Sequence, residues 1–245
     1  MNDRDYQRIN YSYGIVAYSF DENNEIRFLL SQKRDTYEYV EFIRGVWNKE
    51  SSVPYLFSKM SVEERKRIID YTFEELWNDL WIKDDISFIE FNYDKSKKQY
   101  SRIKNKILYY LNETNTKILE PQWEFPKGKK KHSEDKLVAA KREFEEETCL
   151  YPSKLNVLSD KTYQEIYEGT NGKKYSTIYF VAKYPDIEYP KYIDTSKNIR
   201  KQTVSDESIN VGWFSYEEAC EKFVSFNYRK QILIQVYEKI KNDIM

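Results

Sequence analysis

Tyr13–Phe20 and Glu25–Gln32 are short apolar runs rich in β-branched and aromatic residues, the signal of two strands. Asp21-Glu22-Asn23-Asn24 between them supplies turn-forming side chains. From about Asp35 the period becomes helical. Ser61 with Glu64 and Thr72 with Glu75 have capping-box spacing, and the second pair leads into Phe73, Leu76, Trp77, Leu80 and Trp81 on one helical face. A further helix is predicted over Lys95–Asn112, with Tyr100, Ile103, Ile107 and Leu111 on one side. Strand signals return at Gln122–Phe125, and Leu137, Ala140 and Phe144 mark the apolar face of a helix over Lys136–Glu147.

Downstream, Tyr163–Tyr167 and Lys174–Tyr184 flank Gly169-Thr170-Asn171-Gly172, which predicts a β-hairpin. Pro185–Gln202 reads as a polar loop, Ile209–Phe214 as a short strand, Ser215 with Glu218 as a helix cap, and Phe226–Lys241 as a final amphipathic helix. The expected fold class is α/β in the α+β sense: a mixed sheet with flanking helices, interrupted by an inserted helical domain. The pieces would be 1–36, 37–118 and 119–245, the middle one inserted.

Composition narrows the partners. A chain of 245 residues can bury a full core. Its net charge of −1 provides no global field for nucleic acid, so any such contact needs a local patch. Lys95, Lys97, Lys98, Arg102, Lys104 and Lys106 make one, read here as an RNA track because phosphate contacts give affinity without sequence readout. Cys149 and Cys220 are too few for a disulfide framework, and no apolar run approaches the ~20 residues of a membrane span. A soluble, cytoplasmic protein with no membrane partner is expected. Its oligomeric state stays open, a homodimer among the options.

The densest chemistry lies in GKKKHSEDKLVAAKREFEEETCL, residues 128–150. Glu143, Glu146 and Glu147 stand at i, i+3 and i+4, so their carboxylates crowd one side of a helix and repel one another. A hard divalent cation relieves that repulsion and also bridges phosphate oxygens, which points to a metal site using Mg²⁺ or Mn²⁺. His132, the only histidine, is incidental.

The spacing Gly128, Glu134, Arg142-Glu143 and Glu146-Glu147 resembles the Nudix box, with Cys149 where a second Gly is usual. If Cys149 takes the left-handed conformation of that Gly, it costs about 1 kcal/mol. The stretch Trp123–Leu150 is similar to Nudix hydrolases and in particular to the mRNA-decapping enzymes of poxviruses and African swine fever virus. Gln32-Lys33-Arg34, the aromatic run Tyr37–Ile43 and a helical insertion fall in the corresponding order.

The resemblance implies a Nudix α/β/α sandwich and a metal-dependent enzyme of RNA turnover. It would cleave the 5′ cap pyrophosphate of capped RNA, releasing methylated GDP and 5′-monophosphate RNA; for a viral protein, this would be host mRNA turnover in the host cytoplasm. Glu143, Glu146 and Glu147 would hold the metal, with Glu146 and Glu147 catalytic, and Gly128, Glu134 and Arg142 structural. Glu207, six residues before Trp213 in a Val-Gly-Trp-Phe segment, would be a further ligand or the general base. Tyr37 and Tyr179 would sandwich the methylated base, Tyr39 being an equally placed substitute for Tyr37. Lys127 and Lys129, with Lys130 and Lys131, would support the polyphosphate. Rival expectations are hydrolysis of a diphosphoinositol polyphosphate or dinucleoside polyphosphate, and an inactive cap- or RNA-binding protein.

Overall fold

A computed structural model describes residues 9–81, 86–168, 174–194, 202–223 and 227–244. The chain opens with β1 (Asn10–Phe20) and β2 (Ile26–Lys33), then runs through α1 (Tyr37–Ile43), α2 (Val53–Lys59), α3 (Val62–Asp70), α4 (Phe73–Leu80), α5 (Ile86–Ile103) and α6 (Ile107–Asn112). It continues through β3 (Trp123–Glu124), β4 (Lys127–Gly128), α7 (Lys136–Thr148), β5 (Asn156–Glu168) and β6 (Lys174–Lys183). Last come β7 (Ile193–Asp194), β8 (Gln202–Thr203), β9 (Ser208–Phe214), α8 (Tyr216–Lys222) and α9 (Asn227–Ile244). Contacts divide the chain into two units, one of Met1–Gln32, Trp123–Lys191 and Asn210–Met245, the other of Lys33–Gln122 and Tyr192–Ile209.

In the first unit the β1–β2 hairpin forms as its sequence predicts. The Asp21 carboxylate accepts the Asn23 and Glu25 amides, and Asn24 takes a positive φ that an Asn tolerates. The sheet runs β3-β2-β1-β6-β5, with β4 also pairing β1 and β9 pairing β2. It is mixed, because β6 is parallel to β1 from Asn10↔Tyr175 to Tyr18↔Lys183 while β5 and β6 are antiparallel. Val16, Tyr18, Phe28 and Leu30 share one face and pack against Phe223, Leu233 and Val236 of the α8–α9 side. α7 packs against β1, and strand alternation turns Ile15, Ala17 and Leu29, all fully buried, to the face opposite Val16.

The second unit has its own core, in which Phe42, Phe57, Phe73, Trp77, Tyr100 and Ile103 are buried. Ser61 with Glu64 and Thr72 with Glu75 form complete capping boxes at the starts of α3 and α4. The predicted Lys95–Asn112 helix is instead two helices. α5 begins earlier, at Ile86, and a 3₁₀ turn at Lys104–Lys106 separates it from α6. Ile103 and Ile107 on either side of that turn remain in the same core. Arg67 is sealed inside this unit, bonded to Asp35 (2.8 Å) and Asp79 (3.1 Å) with its guanidinium over the Tyr39 ring. Glu64 accepts the Thr36 amide and hydroxyl and the Ser61 amide.

Other boundaries differ from the sequence expectation. The helical unit starts at Lys33 and takes in Tyr192–Ile209, where β7 and β8 pair within what reads as a polar loop. β5 begins at Asn156, because its first half bulges between Val157 and Thr162 and breaks the alternation. Gly169-Thr170-Asn171-Gly172 and Phe226 lie outside the described residues.

Candidate active site

α7 carries the three box carboxylates, and both of its ends are fixed by hydrogen bonds. Asp135 caps the start, its side chain accepting the Leu137 amide at 2.8 Å. Cys149 ends the helix in the left-handed region, at φ 55°, and donates its amide to the Glu145 carbonyl at 2.8 Å. A non-glycine residue therefore occupies the conformation that the usual glycine would serve.

The three glutamates of α7 face different surroundings. Glu143 and Glu147 are buried with Ala140 and Phe144, while the Glu146 side chain is half exposed. Arg142 gathers the group: it donates to Glu143 and Glu146, each at 2.7 Å, to both Glu134 carboxylate oxygens, and to the Lys129 carbonyl. These bonds hold the Glu134 carboxyl down to about 2, helped by the Lys131 amide at 2.7 Å, and raise the Arg142 guanidinium. A Cβ at Gly128 would stand 2.1 Å from the Glu143 carboxylate, so any larger residue there displaces that carboxylate from Arg142. Glu147 accepts from Ser31 of β2 at 3.0 Å.

The donor set fits a hard divalent cation: three carboxylates on one helix, two of them buried, with oxygen as the ligand atom. Among the described residues no three acidic, His or Cys side chains converge into a closed metal cluster; Glu143 and Glu146 turn towards Arg142, and Glu147 meets Ser31.

Lys127 is buried in an ion pair with Glu124 at 3.1 Å, whereas Lys129, Lys130 and Lys131 are exposed. His132 is also exposed, its ring beside the Ser133 hydroxyl. Tyr179 is not the stacking residue that the sequence suggests. It is fully buried, its ring against Phe125 and its hydroxyl donating to Glu165, so it offers no face to a base. The cause is its register on β6 opposite Gly14 of β1, which turns it into the core shared with α8 and α9.

Sequence reasoning also missed Glu124, Glu165 and Arg229, a buried network in which Arg229 meets both glutamates, at 3.2 and 3.3 Å. The available signal was Glu124 itself, a charge between Trp123 and Phe125 in a strand. Ser31, a small polar residue inside Phe28–Gln32, gave a weaker one.

Glu207 belongs to the helical unit, where its exposed carboxylate pairs with Lys33 at 3.1 Å and its carbonyl accepts the Arg34 amide. Tyr37 starts α1 and is exposed. Tyr39 is fully buried beneath Arg67 and cannot replace it. All six basic residues of the track are exposed, but Lys97 is paired with Glu74 at 2.6 Å and Lys106 with Glu50 at 2.7 Å.

The chain is 28% identical to the mRNA-decapping protein g5R of African swine fever virus (a Kenyan isolate), covering 87% of each. It is 26% identical, over 89% of this chain and 67% of the other, to a protein of Acanthamoeba polyphaga mimivirus that bears a provisional mRNA-decapping name. In fold it is similar to a C. elegans Ap4A hydrolase, with TM-score 0.50, 16% identity, and coverage of 96% of this chain and 99% of that one. No described helix is long and apolar enough to cross a membrane. The NUDIX domain model matches residues 104–233, more than half of the chain, and with the carboxylate helix inside that span the protein is a Nudix hydrolase.

Proposed function

We propose that this Nudix hydrolase is a metal-dependent decapping enzyme, acting on capped RNA in the cytoplasm of a host cell. The observation that carries the reading is the α7 carboxylate set gathered by Arg142, in a chain similar along most of its length to a viral decapping protein. Glu143, Glu146 and Glu147 would hold Mg²⁺ or Mn²⁺, which when bound neutralises phosphate charge and makes water more acidic. Arg142 keeps two of those carboxylates from repelling each other and fixes their rotamers. The resemblance would give Glu207 the role of taking the proton of the attacking water, or of a further ligand. One P–O bond forms to that water and one pyrophosphate P–O bond breaks, giving methylated GDP and 5′-monophosphate RNA.

Lys129 supports the polyphosphate from its exposed position, Lys127 is held back in its ion pair with Glu124, and the exposed Tyr37 stacks on the methylated base. α5 holds the RNA body through Lys95, Lys98 and Arg102, with Lys104 in the turn that follows it.

The test is incubation of the full chain and Mn²⁺ with cap-labelled RNA, identifying the released nucleotide. Methylated GDP is expected. Intact capped RNA alongside cleavage of a dinucleoside or inositol polyphosphate would replace the reading with the small-diphosphate one.

A further inference from the structure

The basic residues of α5 do not form one undivided patch. Phe91, Lys95, Lys98 and Arg102 recur at intervals of four, three and four, the spacing of a single helix face. That face lies away from the buried one, which carries Ser96, Tyr100 and Ile103. Lys97 and Lys104 project elsewhere, and Lys97 is tied to Glu74 and to the Tyr93 hydroxyl. Arg102 donates to Gln99 at 2.9 Å, which steadies its guanidinium on the stripe. Phe91, at the head of the stripe, is 85% exposed. An aromatic ring left in water is costly unless something covers it, and three aligned cations over about 10 Å of helix specify what suits the same face.

We propose that Phe91, Lys95, Lys98 and Arg102 form a platform for single-stranded RNA, the cations tracking phosphates while a base stacks on the Phe91 ring. The inference rests on the reading of α5 as an RNA track and extends it: a bare basic face would take duplex and single strand alike, whereas a stacking residue needs an unpaired base. Charge complementarity selects this occupant over a second copy of the chain, because two such stripes would repel.

The test is binding of the full-length protein, without divalent metal, to a labelled single-stranded RNA and to its duplex over a series of salt concentrations. Phe91→Ala should weaken single-strand binding by about tenfold, within the range of stacking on one base, and leave duplex binding and the salt slope unchanged. Phe91→Trp should restore it. Replacing Lys95, Lys98 and Arg102 with Ala should instead lower the single-strand slope by about 2.

Unchanged single-strand affinity in Phe91→Ala would overturn the proposal, as would equal loss on both RNAs. So would a wild-type dimer that Phe91→Ala converts to monomer. Cap release from the same wild-type protein separates the two readings: single-strand binding that depends on Phe91 without cap release leaves the platform standing and removes the decapping assignment.

Discussion

Two of this protein's knots of arginine and carboxylates, one in each unit, use the same groups to opposite ends. In the helical unit Arg67 is sealed with Asp35, Asp79 and Glu64, all within a few percent of full burial. In the Nudix unit Arg142 gathers Glu134, Glu143 and Glu146, yet the Glu146 side chain stays 51% exposed. Their acids respond accordingly: burial and the nearby Asp35 push the Glu64 carboxyl up, whereas Arg142 holds Glu134 down to about 2. A closed knot can only hold elements together, while an open one leaves a carboxylate able to meet a ligand. Arginine content alone does not distinguish them; access does.

The sharpest way to break this contrast is Arg67→Ala. It strands buried carboxylates, so unfolding free energy in urea should fall by about 3–5 kcal/mol. Arg142→Ala, at a partly exposed site, should cost much less stability. Equal losses would mean that the two knots do the same work. Glu146→Gln comes next: turnover should drop at least a hundredfold, roughly 3 kcal/mol of transition-state stabilisation, while the urea midpoint stays in place. Retention of more than a tenth of the wild-type rate at saturating Mn²⁺ would remove the carboxylate from the chemistry.

Cys149→Gly tests the strain at the exit of α7 and should raise stability by about 1 kcal/mol, read as a higher urea midpoint at unchanged slope. The smallest effect concerns pH. The Glu134 carboxyl is depressed by Arg142, so its contribution is complete above the ordinary carboxylate range and is lost as pH falls towards about 2. Glu134→Gln should flatten stability in that acid window and change little at neutral pH. A variant with the wild-type acid profile would show that the ion pair is not coupled to folding.

Much of this was legible in the chain because it is local. The β1–β2 turn depends on Asp21, the caps on Ser61, Thr72 and Ser215, and the left-handed exit on a position where Gly is usual. Spacing alone put the carboxylates of α7 on one helix, but not that Glu143 and Glu146 turn to Arg142 while Glu147 meets Ser31. What sequence could not supply is long-range. Tyr179 looks like any strand tyrosine until β6 is seen to pair with β1, and Arg229 gives no sign that it will meet Glu124 and Glu165. The break in α5 was hidden because Tyr100, Ile103, Ile107 and Leu111 keep helical spacing across it. Burial, too, divides Tyr37 from Tyr39, two residues apart in one aromatic run.

The parallel pairing of β1 with β6 has a consequence for biosynthesis. Asn10 finds its β6 partner only at Tyr175, so the first strand made must wait for one that follows residues 33–122 of the helical unit and the carboxylate helix. At about 5–20 residues per second that delay is roughly 10–30 s. The helical unit, whose core draws on residues 39–111, can close in the meantime. Meanwhile the β1–β2 hairpin carries an unpaired edge with Ile15, Val16 and Ala17 in water, and this nascent state is where a chaperone has the most to protect.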